Sequence, residues 1–485
     1  MKKQKSLKLN FIMNVILTMS SFIFPLITFP YVSRVLSPVG TGKVSFANSV
    51  VSYFVILAQL GIPTYGIRAC AKVRDDRQKL TKVVQELFII GFIMCMISYV
   101  IFAIGLFTVP RLRVDKTLMI IISSSILFYT IGVEWLYKAM EQYAYITTRS
   151  IFFKFIALIA MFLFVHKQED YVIYGAISIF AASASNIFNF FYMKKFIDIK
   201  PVGNYSLKKH LKPIMVFFAM SCATTIYVHL DSVMLGFMKT DADVGYYNVA
   251  IKTKMILVSV VTSLGTVLLP RVSYYVEHRM MTEFQQVTKK AMNFVSLLVY
   301  PLTLYFMLFA KESVYLLAGN QYDGAIMPMI VIMLTLPFIG MTNIMGIQVL
   351  VPMGKEKSVM YSEIAGAVVD LIINLILIPK MASTGAAIGT LAAEIVVWIV
   401  QYAALKDTIK PAYKAIRFPL IILALILGTA ASLWVKTLHL SSFVTLAISA
   451  VLFFGVYALV LTIAKEKLVL EIENQVLGKV LRKKK

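Results

Sequence analysis

Residues 83–108 read VVQELFIIGFIMCMISYVIFAIGLFT, with Val83 and Thr108 at the ends and Glu86 the one charge. At about 1.5 Å rise per residue this stretch makes a helix of roughly 39 Å. That exceeds the roughly 30 Å hydrocarbon core of a bilayer. A stretch so long and so free of charge is read as a membrane span. Working outward, similar apolar stretches recur at 9–33, 44–67, 117–137, 148–165, 172–193, 214–237, 246–270, 292–310, 326–351, 360–379, 386–405, 418–435 and 442–464. The sequence therefore predicts an all-α, polytopic membrane protein with about fourteen transmembrane helices. Composition agrees. The chain is 59% hydrophobic and 15% charged, against about 45–50% and about 25% in soluble domains. Its 485 residues do not fold as several water-facing domains.

The 48 Lys and Arg against 24 Asp and Glu give a formal net charge of +24. With the N-terminus inside, 34 of the 48 basic residues fall in cytoplasmic segments, as the positive-inside rule requires. Both termini are then cytoplasmic, and the span count is even. Nucleic acid is excluded as a partner, because the basic residues are dispersed over many short loops rather than gathered on one face. No connection is long enough to be a domain. Walker, HExxH and GxGxxG motifs are absent, so no cofactor, metal or ATPase is expected. Cys70, Cys95 and Cys222 lack metal or disulfide spacing and read as packing residues. The N-terminal lysines Lys2, Lys3, Lys5 and Lys8 precede an apolar run too long for a cleaved signal peptide. Pro25, Pro30, Pro328 and Pro337 are candidates for helix bends.

The two halves repeat. Val39-Gly40 leads through a span to Arg68, and Val244-Gly245-Tyr246-Tyr247 leads through a span to Arg271. Gly132-Val133 with Glu141-Gln142 parallels Gly346-Ile347 with Lys355-Glu356. Tyr174-Gly175-Ala176-Ile177 parallels Thr384-Gly385-Ala386-Ala387-Ile388. The expected organisation is two pseudo-symmetric six-helix bundles, 1–200 and 201–410, then two added helices over 411–464 and a basic cytoplasmic tail, 465–485. Parallel repeats of this kind occur in secondary transporters that work by alternating access.

Ionisable groups at membrane depth usually face a cavity or a partner. Arg34, Arg68, Arg149, Lys154, Lys252 and Arg271 are the candidates for a cationic substrate cavity, since Arg and Lys grip phosphate oxygens. The four arginines lie at span ends, where headgroup anchoring would also place them. Glu134, Asp231, Asp370 and Glu394 are the candidates for coupling to a Na⁺ or H⁺ gradient. Glu363 and Asp370 are seven apart on one helix face, and Glu394 on the next span could join them.

Pro30-Tyr31-Val32-Ser33-Arg34-Val35-Leu36 with Gly40 and Gly42 resembles the first-loop signature of bacterial Wzx-type oligosaccharide flippases. These belong to the multidrug/oligosaccharidyl-lipid/polysaccharide exporter superfamily. Leu60-Gly61-Ile62, Tyr65-Gly66-Ile67-Arg68 and Ala71-Lys72-Val73-Arg74-Asp75-Asp76 are similar too. In the second half, so are Asp231, Val244-Gly245-Tyr246-Tyr247 and Leu268-Leu269-Pro270-Arg271-Val272-Ser273. The resemblance implies a bacterial cytoplasmic-membrane protein and not an enzyme. It would move undecaprenyl-pyrophosphate-linked oligosaccharide repeat units from the inner to the outer leaflet, for O-antigen, capsule or exopolysaccharide assembly. It implies headgroup or gate roles for Arg34 and Arg68, and a lipid-tail groove on the last two spans. It implies membrane lipids as surroundings, and the polymerase and chain-length proteins of the same pathway as candidate partners. A multidrug/cation antiporter of the same superfamily is the alternative. A polysaccharide polymerase or ligase fits poorly, because every outer loop is short.

Overall fold

The computed structural model describes residues 7–470. Lys2, Lys3 and Lys5, and 471–485 of the expected tail, lie outside the described residues. All regular structure among the described residues is helical. Eleven helices there are long and apolar enough to cross a membrane, or twelve if one bent pair is a single span. The chain divides into two compact units, Met1–Gly245 and Tyr246–Lys485.

The first unit holds α1 (Leu7–Gln59), α2 (Ile62–Ala71), α3 (Arg77–Thr108), the single turn α4 (Pro110–Arg113), α5 (Lys116–Ile131), α6 (Glu134–Ala139), α7 (Tyr143–Phe164), α8 (Tyr171–Ile179), α9 (Ser185–Tyr192) and α10 (Lys208–Met238). The sequence leads one to expect a loop at 34–43. The structure reduces it to one residue, Ser37 (φ 60, ψ 175), inside α1. A residue before proline is pushed out of the helical region, while Pro38 itself suits a first helical turn. Pro25 and Pro30 do not break α1; both sit in helical backbone.

Three side chains tie α1 to α7 at one register. Thr147 Oγ1 donates to the Met13 carbonyl (2.9 Å), Lys154 Nζ to Ser20 Oγ (2.9 Å) and Tyr31 OH to the Val165 carbonyl (2.7 Å), each pair 134 residues apart. A constant offset means that the two helices run parallel. Around Leu60, Val84, Leu87, Trp135, Leu136 and Ile214 the ends of α2, α3, α6 and α10 close over an apolar core.

The unit boundary falls inside α11 (Asp241–Glu277). The second unit continues with α12 (Met281–Leu308), α13 (Ala310–Leu317), α14 (Ile326–Met333), α15 (Thr335–Asn343), α16 (Glu356–Ala415), α17 (Phe418–Leu433) and α18 (Ser442–Ile463). The α14–α15 run bends by 40° around Leu334. Pro337 has no N–H to return to the Met333 carbonyl, so the expected proline bend is found here. α16 runs 60 residues but reverses at Ala382 (φ 47, ψ −126). Its arms pack antiparallel. Gly385 meets the Leu377–Ile378 backbone, Gly389 meets Asn374 and Asp370, and Gly366 meets Val397. Gln401 Nε2 donates to Ser362 Oγ at 3.1 Å. Small residues at the contacts let the backbones approach closely, as membrane helices favour.

Candidate functional site

The tight turn at Gly132–Val133, where Val133 has φ 37, aims Glu134 from the start of α6 towards α7. Glu134 accepts from Lys138 Nζ at 2.9 Å and lies 3.7 Å from Arg149 Nη2. Arg149 is 9% exposed, and its Nε and Nη1 have no hydrogen-bond acceptor among the described residues. The Tyr145 ring stands 5.5 Å from the guanidinium. Lys154 lies farther along the same helix. Its Nζ donates to Ser20 Oγ (2.9 Å) and Ser21 Oγ (3.0 Å), two neutral partners. Lys138, Arg149 and Lys154 thus stand against a single carboxylate, Glu134. The arrangement leaves more positive than negative charge around the start of α7, with Arg149 Nε and Nη1 enclosed and without an acceptor among the described residues. A buried donor left unmade costs about 1–3 kcal/mol.

Within the first unit, Arg34 and Arg68 do not join this group. By the α1–α7 register Arg149 is level with Val15. Arg34 lies nineteen residues farther along α1, about 28 Å away at 1.5 Å per residue. Its Nη1 donates to the Pro30 carbonyl at 2.6 Å. Arg68 is exposed in the last turn of α2, 5.7 Å from the Phe217 ring. In the second unit Arg271 is exposed and donates to Tyr275 OH at 3.0 Å, while Lys252 is half-buried. Asp231 is buried on α10. Asp370 and Glu394 are both buried on α16. The hairpin register sets Asp370 level with Ala393, beside Glu394. Asn374 Nδ2 donates to Asp370 Oδ1 at 3.2 Å, and Tyr247 OH shares a 2.8 Å bond with Thr390. Glu363 is exposed and does not join them.

Sequence reasoning missed a second buried network. Glu86 is fully buried and accepts from the Ser206 backbone N–H (2.8 Å), Lys209 Nζ (2.7 Å) and His210 Nε2 (2.8 Å). With Nε2–H donated to Glu86, His210 Nδ1 accepts from Tyr65 OH at 2.8 Å. Glu86 was the one charge in the stretch 83–108, and that isolation was the signal available.

Among the described residues, two cavities of the first unit adjoin one another. One of about 190 Å³ is lined by Glu134, Lys138, Trp135 and Asn186 among others; one of about 490 Å³ lies between α1, α5, α8 and α10. Gln59 and Tyr129 line both. Among the described residues no His, Cys, Asp and Glu cluster is arranged to hold a metal ion.

Residues 7–276 match the family described as "Polysaccharide biosynthesis protein". A protein of Escherichia coli (strain K12) named "Putative O-antigen transporter" is 24% identical over 399 residues, covering 81% of this chain and 95% of its own. A protein of the same name from Shigella dysenteriae is 22% identical over 419 residues, covering 82% of this chain and 100% of its own. Among solved structures, the lipid II flippase MurJ in an inward closed conformation aligns with a TM-score of 0.74 at 14% identity. It covers 95% of this chain and 100% of that one. At that identity the likeness carries the fold.

Proposed function

The chain belongs to the polysaccharide biosynthesis protein family, and from that premise we propose that it is a flippase for undecaprenyl-pyrophosphate-linked oligosaccharide repeat units. It works in a bacterial cytoplasmic membrane, by alternating access from the inner to the outer leaflet. The observation that carries this reading is Arg149: a buried guanidinium with two nitrogens lacking an acceptor among the described residues, five residues along α7 from a lysine held by hydroxyls. A guanidinium fork matches the paired oxygens of a phosphate, and Lys154 adds a point charge. Arg34 and Arg68, near opposite ends of the membrane, would receive the headgroup at entry and exit.

Fourteen spans follow if each 60-residue run counts as two, broken at Ser37 and Ala382, and the bent pair as one. Parallel α1 and α7 suit spans one and five of an alternating topology with cytoplasmic termini. The buried pair Asp370 and Glu394 supports ion coupling in the second unit, with Asp231 and Glu134 as further candidates. The same pair favours the second reading, a multidrug/cation antiporter. Expression of the full chain in a flippase-null bacterium tests the choice. Restored surface polysaccharide supports the flippase. Drug resistance without polysaccharide supports the antiporter.

A further inference from the structure

The 490 Å³ cavity of the first unit differs in chemistry from its smaller neighbour. Its walls carry Asn48, Ser52, Gln59, Ser125, Thr225 and His229, and no Asp, Glu, Lys or Arg. Among the described residues, the side chains of Asn48, Gln59 and Thr225 make no hydrogen bond to another protein group. In a membrane-embedded unit such groups cost several kcal/mol each unless water or a ligand meets them. Apart from Ser178 and the Tyr129 ring, the remaining walls are aliphatic, with Val51, Val55 and Ile56 on one side. The volume lies within the roughly 300–1,000 Å³ usual for small-molecule sites. The helix beside it widens into a π-helical turn at Phe180–Ala184, immediately after the wall residues Ser178 and Ile179. Such bulges recur at functional positions.

Neutral donors and acceptors set among aliphatic walls, with the Tyr129 ring, suit a molecule that carries hydroxyls on a partly apolar ring. We propose that this cavity is a sugar subsite, which takes an uncharged sugar joined directly to the pyrophosphate. Gln59 and Tyr129, shared by both cavities, sit at the junction: the charged cavity with Glu134 and Lys138 lies on one side and the neutral one on the other. The absence of charged walls disfavours a uronic acid at this position, whose carboxylate would be buried without a cation.

The assignment rests on the flippase reading, and its test separates the two. Purified full-length protein is titrated with three probes: bare undecaprenyl pyrophosphate, the same lipid carrying one N-acetylhexosamine, and the same lipid carrying one uronic acid. The wild type is expected to bind the neutral glycolipid most tightly. Asn48→Leu and Thr225→Val each weaken that binding about fivefold, the worth of one neutral hydrogen bond, and leave the bare lipid unchanged. Thr225→Ser, which keeps the hydroxyl, retains wild-type binding and reports that the fold is intact. Equal losses for bare and sugar-bearing lipid, no loss, or preference for the uronic acid would overturn the subsite while leaving the flippase standing. Failure of the wild type to bind any of the three would overturn both.

Discussion

Arg149→Met is the most informative single change. Met keeps the aliphatic volume of the stem and removes the guanidinium. Glu134, its one ion-pair partner, still holds Lys138 at 2.9 Å, so no carboxylate is stranded. Replacing a buried charge by a well-packed apolar side chain is often neutral or stabilising. The thermal midpoint should therefore hold or rise. Transport should not. If Nε and Nη1 each meet a phosphate oxygen, each charge-assisted bond contributes about 1.5–3 kcal/mol. Losing two removes at least about 3 kcal/mol, a factor of roughly a hundred. Arg149→Lys keeps the charge without the fork and should fall between. The assay is binding and leaflet transfer of undecaprenyl-pyrophosphate glycolipid by the full protein in proteoliposomes, with the melting curve recorded alongside. Wild-type transfer by Arg149→Met would refute the anion role. A collapse of the melting curve with unchanged lipid affinity would assign Arg149 to the fold instead.

Glu86→Ala should act the opposite way. It strands His210, Lys209 and the Ser206 N–H, and the melting curve should register a loss of about 3 kcal/mol, the low end for breaking a buried pair because Lys209 can turn to water. Gly389→Ala would press a methyl against Asn374 Oδ1. Overpacking of that kind costs about 1–3 kcal/mol, seen as reduced yield of folded protein in detergent. Ala382→Gly should stabilise by about 1 kcal/mol, because φ 47 with ψ −126 is a backbone region that glycine occupies without strain; an unchanged midpoint would contradict the strain argument. Cysteines at Lys239 and Lys436 should react with a membrane-impermeant reagent added outside, and cysteines at Lys200 and Lys410 should not. The reverse pattern overturns the topology.

The apolar stretches were legible because lipid demands length and hydropathy, which a single sequence displays. The stretch 83–108 became Arg77–Thr108, longer by its polar first turn, where Asp76 accepts from the Lys79 N–H. That bond and the Lys79 ammonium hold the Asp76 carboxyl below its usual range, so the cap weakens only as the pH falls into the acid range. Hydropathy could not see that the 34–43 connection is a single residue, since Arg34, Pro38 and two glycines lower the average while remaining compatible with helix. Charge reading found Arg149, Lys154 and Glu134 one by one. Their grouping depends on the turn at Val133 and on the α1–α7 register, which no local pattern encodes. Glu363 illustrates the limit of face arithmetic. It shares a helix face with Asp370 by spacing, but the partner arm covers only one of them.

The ties at Met13, Ser20 and Tyr31 span 18 residues of α7, about 27 Å. Two rods riveted at three points resist sliding past one another, each hydrogen bond contributing about 0.5–1.5 kcal/mol. Lys154 is itself one of the rivets, and Arg149 sits between two of them. The α1–α7 register therefore sets where Arg149 and Lys154 sit along the unit, and these ties favour α1 and α7 behaving as one lever. Deleting a single residue of α1 between Ser21 and Tyr31 would rotate the end of the lever by about 100° relative to its other end and pull out the last rivet. A change of length in that segment shifts the register, which a side-chain substitution there does not.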